Sequence, residues 1–271
     1  MILLVSFCTG VAGWAQPAAM VADINTTQED LVNWFFTYPG FVQVGTNVLF
    51  VHDDGIHGLE LWRTDGTAAG TVLVKDICPG ACWALIRGGT VWNGILYFGA
   101  ADGVHGQELW RSDGTAAGTT MVADLNPGLA SGFRSLLVAG GTLYLTADDG
   151  VHGAELWKTD GTAAGTVLVK DVNPGAAGAF TLFYRYQLMA LGSALYFFAD
   201  DGVHGTELWK SDGTTAGTTL VKDVFPGSLS SFSLGFTGMA TLGGRLFFDA
   251  ITADGFEPWV SDGTAAGTVE I

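Results

Sequence analysis

Asp149-Gly150-Val151-His152-Gly153-Ala154-Glu155-Leu156-Trp157-Lys158-Thr159-Asp160-Gly161-Thr162-Ala163-Ala164-Gly165-Thr166-Val167-Leu168-Val169-Lys170 is one copy of a pattern that fills the chain. Glu-Leu-Trp recurs at Trp62, Trp110, Trp157 and Trp209, and a variant, Glu257-Pro258-Trp259, follows. Beyond each Trp stands Asp-Gly-Thr, opening at Asp65, Asp113, Asp160, Asp212 and Asp262. Copies spaced by roughly 50 residues mark a repeat architecture. The punctuation inside a copy is that of short strands. Asp149-Gly150 and Asp160-Gly161 read as turns, because Asp-Gly tolerates the positive φ of tight hairpins. Ser135–Val138 and Thr142–Thr146, split by Gly140-Gly141, read as two strands, Glu155–Lys158 as a third and Val167–Val172 as a fourth.

These strands are apolar on both faces. Leu156 and Trp157 are adjacent, as are Phe197 and Phe198, and Leu246, Phe247 and Phe248. A small antiparallel sheet buried on both faces has to be sandwiched between neighbours. Four-stranded units stacked in this way predict an all-β protein, a β-propeller of about five blades. The alternative is a fragment of a longer propeller or β-repeat array. Val21-Ala22-Asp23-Ile24-Asn25 nearly repeats Val122-Ala123-Asp124-Leu125-Asn126, which continues the strand at which Ile271 stands. The two ends are therefore expected to share one sheet. The domain reading is a leader over 1–15, a lead-in with the ring-closing strand over 16–45, and five repeat units over 46–271. Gln28–Phe36 in the lead-in is the best helix candidate.

The leader reading rests on Met1-Ile2-Leu3-Leu4-Val5-Ser6-Phe7-Cys8, uncharged and apolar, and on the small-residue end Gly13-Trp14-Ala15. It lacks the basic residue that normally precedes such a run. The expectation is a secreted or cell-surface protein. No later stretch reaches ~18 uncharged apolar residues, so no membrane span is expected. The chain carries 27 acidic and 11 basic residues, a formal charge of −16. That balance excludes a nucleic-acid partner, since nothing here replaces the counterions of a phosphate backbone. Cys8 would leave with the leader. Cys78 and Cys82, around Pro79-Gly80, are either a local disulfide or two free thiols in a turn.

The recurrent Glu-Leu-Trp and Asp-Gly-Thr pattern resembles the ELWxxDGT repeat family of bacterial surface or secreted proteins, sometimes labelled hyalin-like. The resemblance covers about residues 20–271. It implies export and a propeller-like fold, and no defining activity.

Four units carry Asp-Gly-x-His-Gly-x-Glu, with Asp54, His57 and Glu60; Asp102, His105 and Glu108; Asp149, His152 and Glu155; Asp201, His204 and Glu207. If the loop spans the five residues between Asp and Glu, the two carboxylates face one another across the hairpin. Like charges so placed need something between them, either the protonated His of the same loop or a bound cation. Carboxylate oxygens in a Gly-rich turn suit Ca²⁺, making these eight acids candidate metal ligands. The competing reading gives Asp a turn-capping role and Glu a backbone partner. The fifth unit breaks the set, with Asp254 expected where the others have His. The five Asp-Gly-Thr aspartates read as structural turns. The five repeated tryptophans read as blade-to-blade core rather than sugar-stacking platforms. Trp83 and Trp92 occur in one unit each, which makes them candidates for a ligand-binding surface.

No Gly-x-Ser-x-Gly elbow and no His-Glu-x-x-His occurs. Arg134, Arg185 and Tyr186 are unit-specific but form no recognisable set. The expected function is a non-catalytic extracellular binding or adhesion module for a glycan or a surface protein. The alternatives are a Ca²⁺-stabilised structural repeat and, less favoured, a propeller-type glycoside hydrolase. Oligomeric state is not encoded in these features.

Overall fold

The computed structural model describes residues 20–24, 40–80, 82–180, 188–232 and 238–271. The leader, the helix candidate Gln28–Phe36, Arg185 and Tyr186 lie outside these residues. Among the described residues there are twenty strands and no helix. They form five four-stranded antiparallel sheets, each built from consecutive strands. The first holds β1 (Val42–Val44), β2 (Asn47–Asp53), β3 (Leu59–Thr64) and β4 (Val72–Lys75). The second holds β5 (Arg87–Trp92), β6 (Ile95–Ala100), β7 (Glu108–Ser112) and β8 (Thr120–Ala123). The third holds β9 (Phe133–Ala139), β10 (Thr142–Asp148), β11 (Ala154–Thr159) and β12 (Val167–Lys170). The fourth holds β13 (Leu188–Leu191), β14 (Ala194–Asp200), β15 (Thr206–Ser211) and β16 (Thr219–Lys222). The fifth holds β17 (Met239–Leu242), β18 (Arg245–Thr252), β19 (Gly255–Ser261) and β20 (Val269–Glu270). The chain divides into two compact units, Met1–Met121 and Val122–Ile271.

One register serves every unit. The repeated Trp stands opposite Phe50, Phe98, Leu145, Phe197 or Phe248 on the second strand. In three sheets the pairing of third to fourth strand shifts by a residue beside that Trp, between Leu61 and Trp62, Leu156 and Trp157, and Leu208 and Trp209. Such a bulge sharpens the local twist.

The cores lie between neighbouring sheets. In the first unit Leu49, Leu61, Val74 and Ile77 pack with Leu96, Phe98 and Trp110. In the second, Tyr144, Leu156, Val169 and Val172 pack with Phe197 and Trp209. Tyr196, Phe198, Leu208 and Val224 likewise pack with Phe248 and Trp259. Each side chain so buried contributes about 1.5–3 kcal/mol. Alternation along a strand sends successive residues to opposite sheets, which explains the apolar runs. Ile24 and Leu73 pack on Phe50 and Trp62. Ile24 thus meets its Trp as Val172 meets Trp209.

Lysines add a polar lock. Lys75 Nζ donates to the Thr119 carbonyl, Lys170 to Thr218 and Lys222 to Thr268, at 2.8, 2.8 and 2.6 Å. The same ammonium groups stand 5.8, 5.5 and 5.2 Å from the ring centres of Trp110, Trp209 and Trp259. Lys158 and Lys210 donate to the carbonyls of Gly213 and Gly263, both at 2.8 Å. Trp62, Trp110, Trp209 and Trp259 are buried, whereas Trp157 is half-buried.

Candidate functional site

The hairpin joining the second and third strands is the most polar recurrent element, and its geometry differs from the facing-carboxylate expectation. The last ladder pair of the first hairpin is Asp53 with Leu59, so Glu60 faces His52. Elsewhere Glu108, Glu155 and Glu207 face Ala100, Ala147 and Ala199. The loop aspartate stands outside the ladder and turns inward on its own loop. Asp54 Oδ1 accepts the backbone N–H groups of Ile56 and His57, at 2.9 and 2.8 Å, and Oδ2 lies 2.7 Å from His57 Nδ1. Asp102, Asp149 and Asp201 repeat this with His105, His152 and His204 at 2.9, 2.7 and 2.8 Å. The four Asp–Glu pairs proposed as metal ligands are therefore not brought together. Among the described residues no group of three or more His, Cys, Asp or Glu gathers in a metal-holding arrangement.

Burial alone would raise the Asp54 carboxyl, but the His57 N–H, the His57 ring and the Ile56 N–H hold it below its usual range. The same balance lowers Asp102, Asp149 and Asp201. In return, the hydrogen bond to Asp raises the pKa of His57, His152 and His204.

The repeated glutamate goes the other way, into the protein. Glu60, Glu108, Glu155 and Glu207 have no exposed surface. Glu155 Oε2 accepts the Val172 N–H at 2.9 Å, and Oε1 accepts those of Asn173 and Ala179 at 3.1 and 2.9 Å. Glu60 accepts from Ile77 and Cys78, both at 2.9 Å. Glu207 accepts from Val224 and Ser231. Glu60, Glu155 and Glu207 each fasten the chain as it leaves the fourth strand. This is why β12 stops at Lys170 rather than Val172: the Val172 N–H is committed to Glu155. Burial lifts Glu60, Glu155 and Glu207 to about 7 against the lowering effect of these N–H donors.

The fastened segment is the floor between successive hairpins. Ala84 N–H donates to the Leu59 carbonyl at 3.1 Å, and Ala84 O accepts the Ala101 N–H at 2.7 Å. In the second unit Ala179 N–H donates to Ala154 at 2.9 Å and Ala179 O accepts from Asp200 at 3.0 Å. In the first unit Cys78 and Cys82 are joined as a disulfide with Cα atoms 5.4 Å apart. That separation falls in the ordinary range for a bridge. Trp83 follows, half-buried beside Gly58, where a Cβ would run into the Cys82 carbonyl. Trp92 ends β5, its ring tilted by 59° against Tyr97 with ring centres 5.8 Å apart. Trp83 precedes that strand, so the two single-copy tryptophans lie at opposite ends of it.

The Asp-Gly-Thr turns are closed on themselves. Asp113 Oδ1 accepts the Thr115 N–H and hydroxyl at 2.8 and 2.7 Å, and Thr115 Oγ1 accepts the Gly118 N–H at 2.9 Å. The Thr115 bonds hold the Asp113 carboxyl below its usual range. The carboxylate nests over Gly118, where a Cβ would overlap it, and the same holds at Gly70, Gly165, Gly217 and Gly267. The trailing Gly of the motif is thus a consequence of its leading Asp.

The fifth hairpin is shorter than the alignment suggests. Ile251 pairs with Phe256 and Thr252 with Gly255, closed by Ala253-Asp254. Asp254 therefore sits at a two-residue turn and not at the His position. Arg134, singled out earlier, pairs with Asp148 at 2.9 Å. Two features escaped the sequence reading: the lysine locks and the aliphatic residue between Gly and His in each hairpin. The second is visible in hindsight as the recurrent Asp-Gly-(Ile/Val)-His.

No family model matches the sequence, and no curated protein resembles it. Solved structures do. One of puromycin hydrolase aligns over 94% of this chain and 39% of its own, with 12% identity and a TM-score of 0.52. TolB from Acinetobacter baumannii aligns over 83% of this chain and 51% of its own, with 9% identity and a TM-score of 0.46. The chain spans only about a third to a half of the length of these proteins. At such identity the likeness concerns fold alone. The five sheets are the four-stranded blades of the β-propeller class. No helix among the described residues is long and apolar enough to cross a membrane.

Proposed function

We propose that this chain is a non-catalytic extracellular or cell-surface module of the ELWxxDGT type, which binds a glycan or a surface protein through its hairpin loops. One observation carries the reading. The residues that look most chemical, His and Asp of each hairpin and the glutamate after it, are spent on holding loops and strand ends in place. A catalytic group instead needs an acid, base or nucleophile held toward substrate. Repetition supports the same reading, since four equivalent corners suit a scaffold better than one reaction centre.

The test is a paired screen of the purified chain on a glycan array and an array of cell-surface proteins, run beside polysaccharide and peptide hydrolysis panels. Specific retention without turnover is the expected outcome. Steady hydrolysis of any panel member would sink the non-catalytic reading.

A further inference from the structure

One exposed feature recurs with no folding role. The residue between Gly and His at each hairpin tip is Ile56, Val104, Val151 or Val203, at 68, 67, 65 and 64% exposure. Three places on, the sequence drifts through Leu59, Gln107, Ala154 and Thr206. The loops have therefore diverged, yet the tip stays a β-branched aliphatic, a poor choice for a solvated turn.

In the first unit two such tips flank the disulfide-closed floor. Ala84 is hydrogen-bonded to both hairpins at once. Cys82 and Trp83 back onto Gly58 of the first hairpin, and a Cβ on Gly103 of the second would come within 3.1 Å of Cys78 Sγ. The corresponding segment of the second unit, Asn173-Pro174-Gly175-Ala176-Ala177-Gly178, has neither disulfide nor Trp. The first-unit floor and its two hairpins carry more acids than bases, their only basic groups being His57 and His105, each paired with its own loop aspartate. Asp53, Asp54, Asp76 and Asp102 lie in the hairpins and the floor, where no Lys or Arg occurs between 53 and 58, 76 and 84, or 101 and 107.

We propose that Ile56, Trp83 and Val104 form a docking face for a basic amphipathic polypeptide segment. Its apolar side chains would lie on the two tips and the indole, and its Lys or Arg groups would meet Asp53 and Asp76, since Asp54 and Asp102 are committed to their own loops. An aromatic beside aliphatics on a rigid floor is the anchor such interfaces use. Charge chooses the occupant: a chain of net charge −16 repels a second copy of itself and an anionic lipid surface alike. The proposal rests on the binding-module reading and specifies one of its faces.

The probe is a fluorescein-labelled synthetic peptide of Leu and Lys in amphipathic order, titrated by anisotropy with the full chain. Two companion peptides replace Leu by Ser or Lys by Glu. Binding of the Leu/Lys peptide alone, weakening with salt, is expected. The double variant Ile56→Ser/Val104→Ser should raise Kd by about tenfold or more. Both sites are exposed, so folding is not at stake. Val151→Ser/Val203→Ser should leave Kd unchanged. No binding by the wild type, equal binding of the Glu peptide, an unchanged Kd in the first variant, or an equal loss in the second would each overturn the proposal. If one of these results came with specific retention on either array, the module reading would stand and this face would fall. Turnover on a hydrolysis panel would instead remove the module reading itself.

Discussion

Gly118→Ala is a substitution whose effect should depend on one other side chain. Gly118 has an ordinary negative φ, so backbone conformation alone would favour alanine. What forbids it is the Asp113 carboxylate nested where the Cβ would go. Either the carboxylate stays and the core of the turn is overpacked, or it swings away and forfeits its two Thr115 bonds. Overpacking of this kind costs about 1–3 kcal/mol. For a chain of this size that is a fall in Tm of roughly 2–10 °C. In an Asp113→Ala background the obstruction is gone, and the same Gly118→Ala change should be neutral or stabilise by about 0.4–1 kcal/mol. The coupling between the two sites should then be on the order of 2 kcal/mol, outside the ~0.5 kcal/mol scatter of independent sites. Thermal melts of the wild type, both single variants and the double variant complete the cycle. An equal cost for Gly118→Ala in both backgrounds would refute the nesting argument.

The pH profile of stability should be shifted toward acid. Glu60, Glu155 and Glu207 titrate near 7 in the folded state, above the ordinary carboxylate value, so the native form holds protons that the unfolded form releases. Stability should fall as pH rises from about 4.5 to 7, by on the order of a few kcal/mol per glutamate. The raised His57, His152 and His204 add a loss in the same sense as pH passes above their folded pKa. Below the ordinary Asp value the lowered loop aspartates reverse the trend. Tm that climbs steadily from pH 5 to 8 would contradict this. Trp209→Ala should cost about 3–5 kcal/mol, and half-buried Trp157→Ala measurably less, as read from urea midpoints. Melts in excess Ca²⁺ and in EDTA should coincide, because the paired acids serve backbone and histidine; a large Ca²⁺-dependent rise in Tm would restore the metal reading.

The architecture was legible because repetition and strand punctuation are properties of single residues in order. Asp-Gly turns, Gly-Gly breaks and the once-per-unit Trp located all five sheets. What was not legible depends on counting residues through a loop. Moving the last ladder pair to Asp53 and Leu59 turns Glu60 away from Asp54. A buried glutamate is also against expectation, since Glu is almost never fully buried unless it is partnered. Its partners lie 17 to 24 residues onward in backbone that carries no side-chain signature. The fifth hairpin misled for a similar reason: its ladder runs one pair beyond those of the first, third and fourth sheets and closes on a two-residue turn, so alignment by composition put Asp254 in the wrong place.

The lysine locks have a practical consequence for anyone who handles the protein. All five lysines are half-buried, and every ε-ammonium is tied to a carbonyl of the neighbouring sheet. At lysine, amine-directed reagents would have to compete with these bonds before they reacted. Coupling through lysine, for a dye or for immobilisation on a sensor chip, would therefore be slow and would favour molecules in which a lock has come undone, and native trypsin cuts should fall after arginine instead.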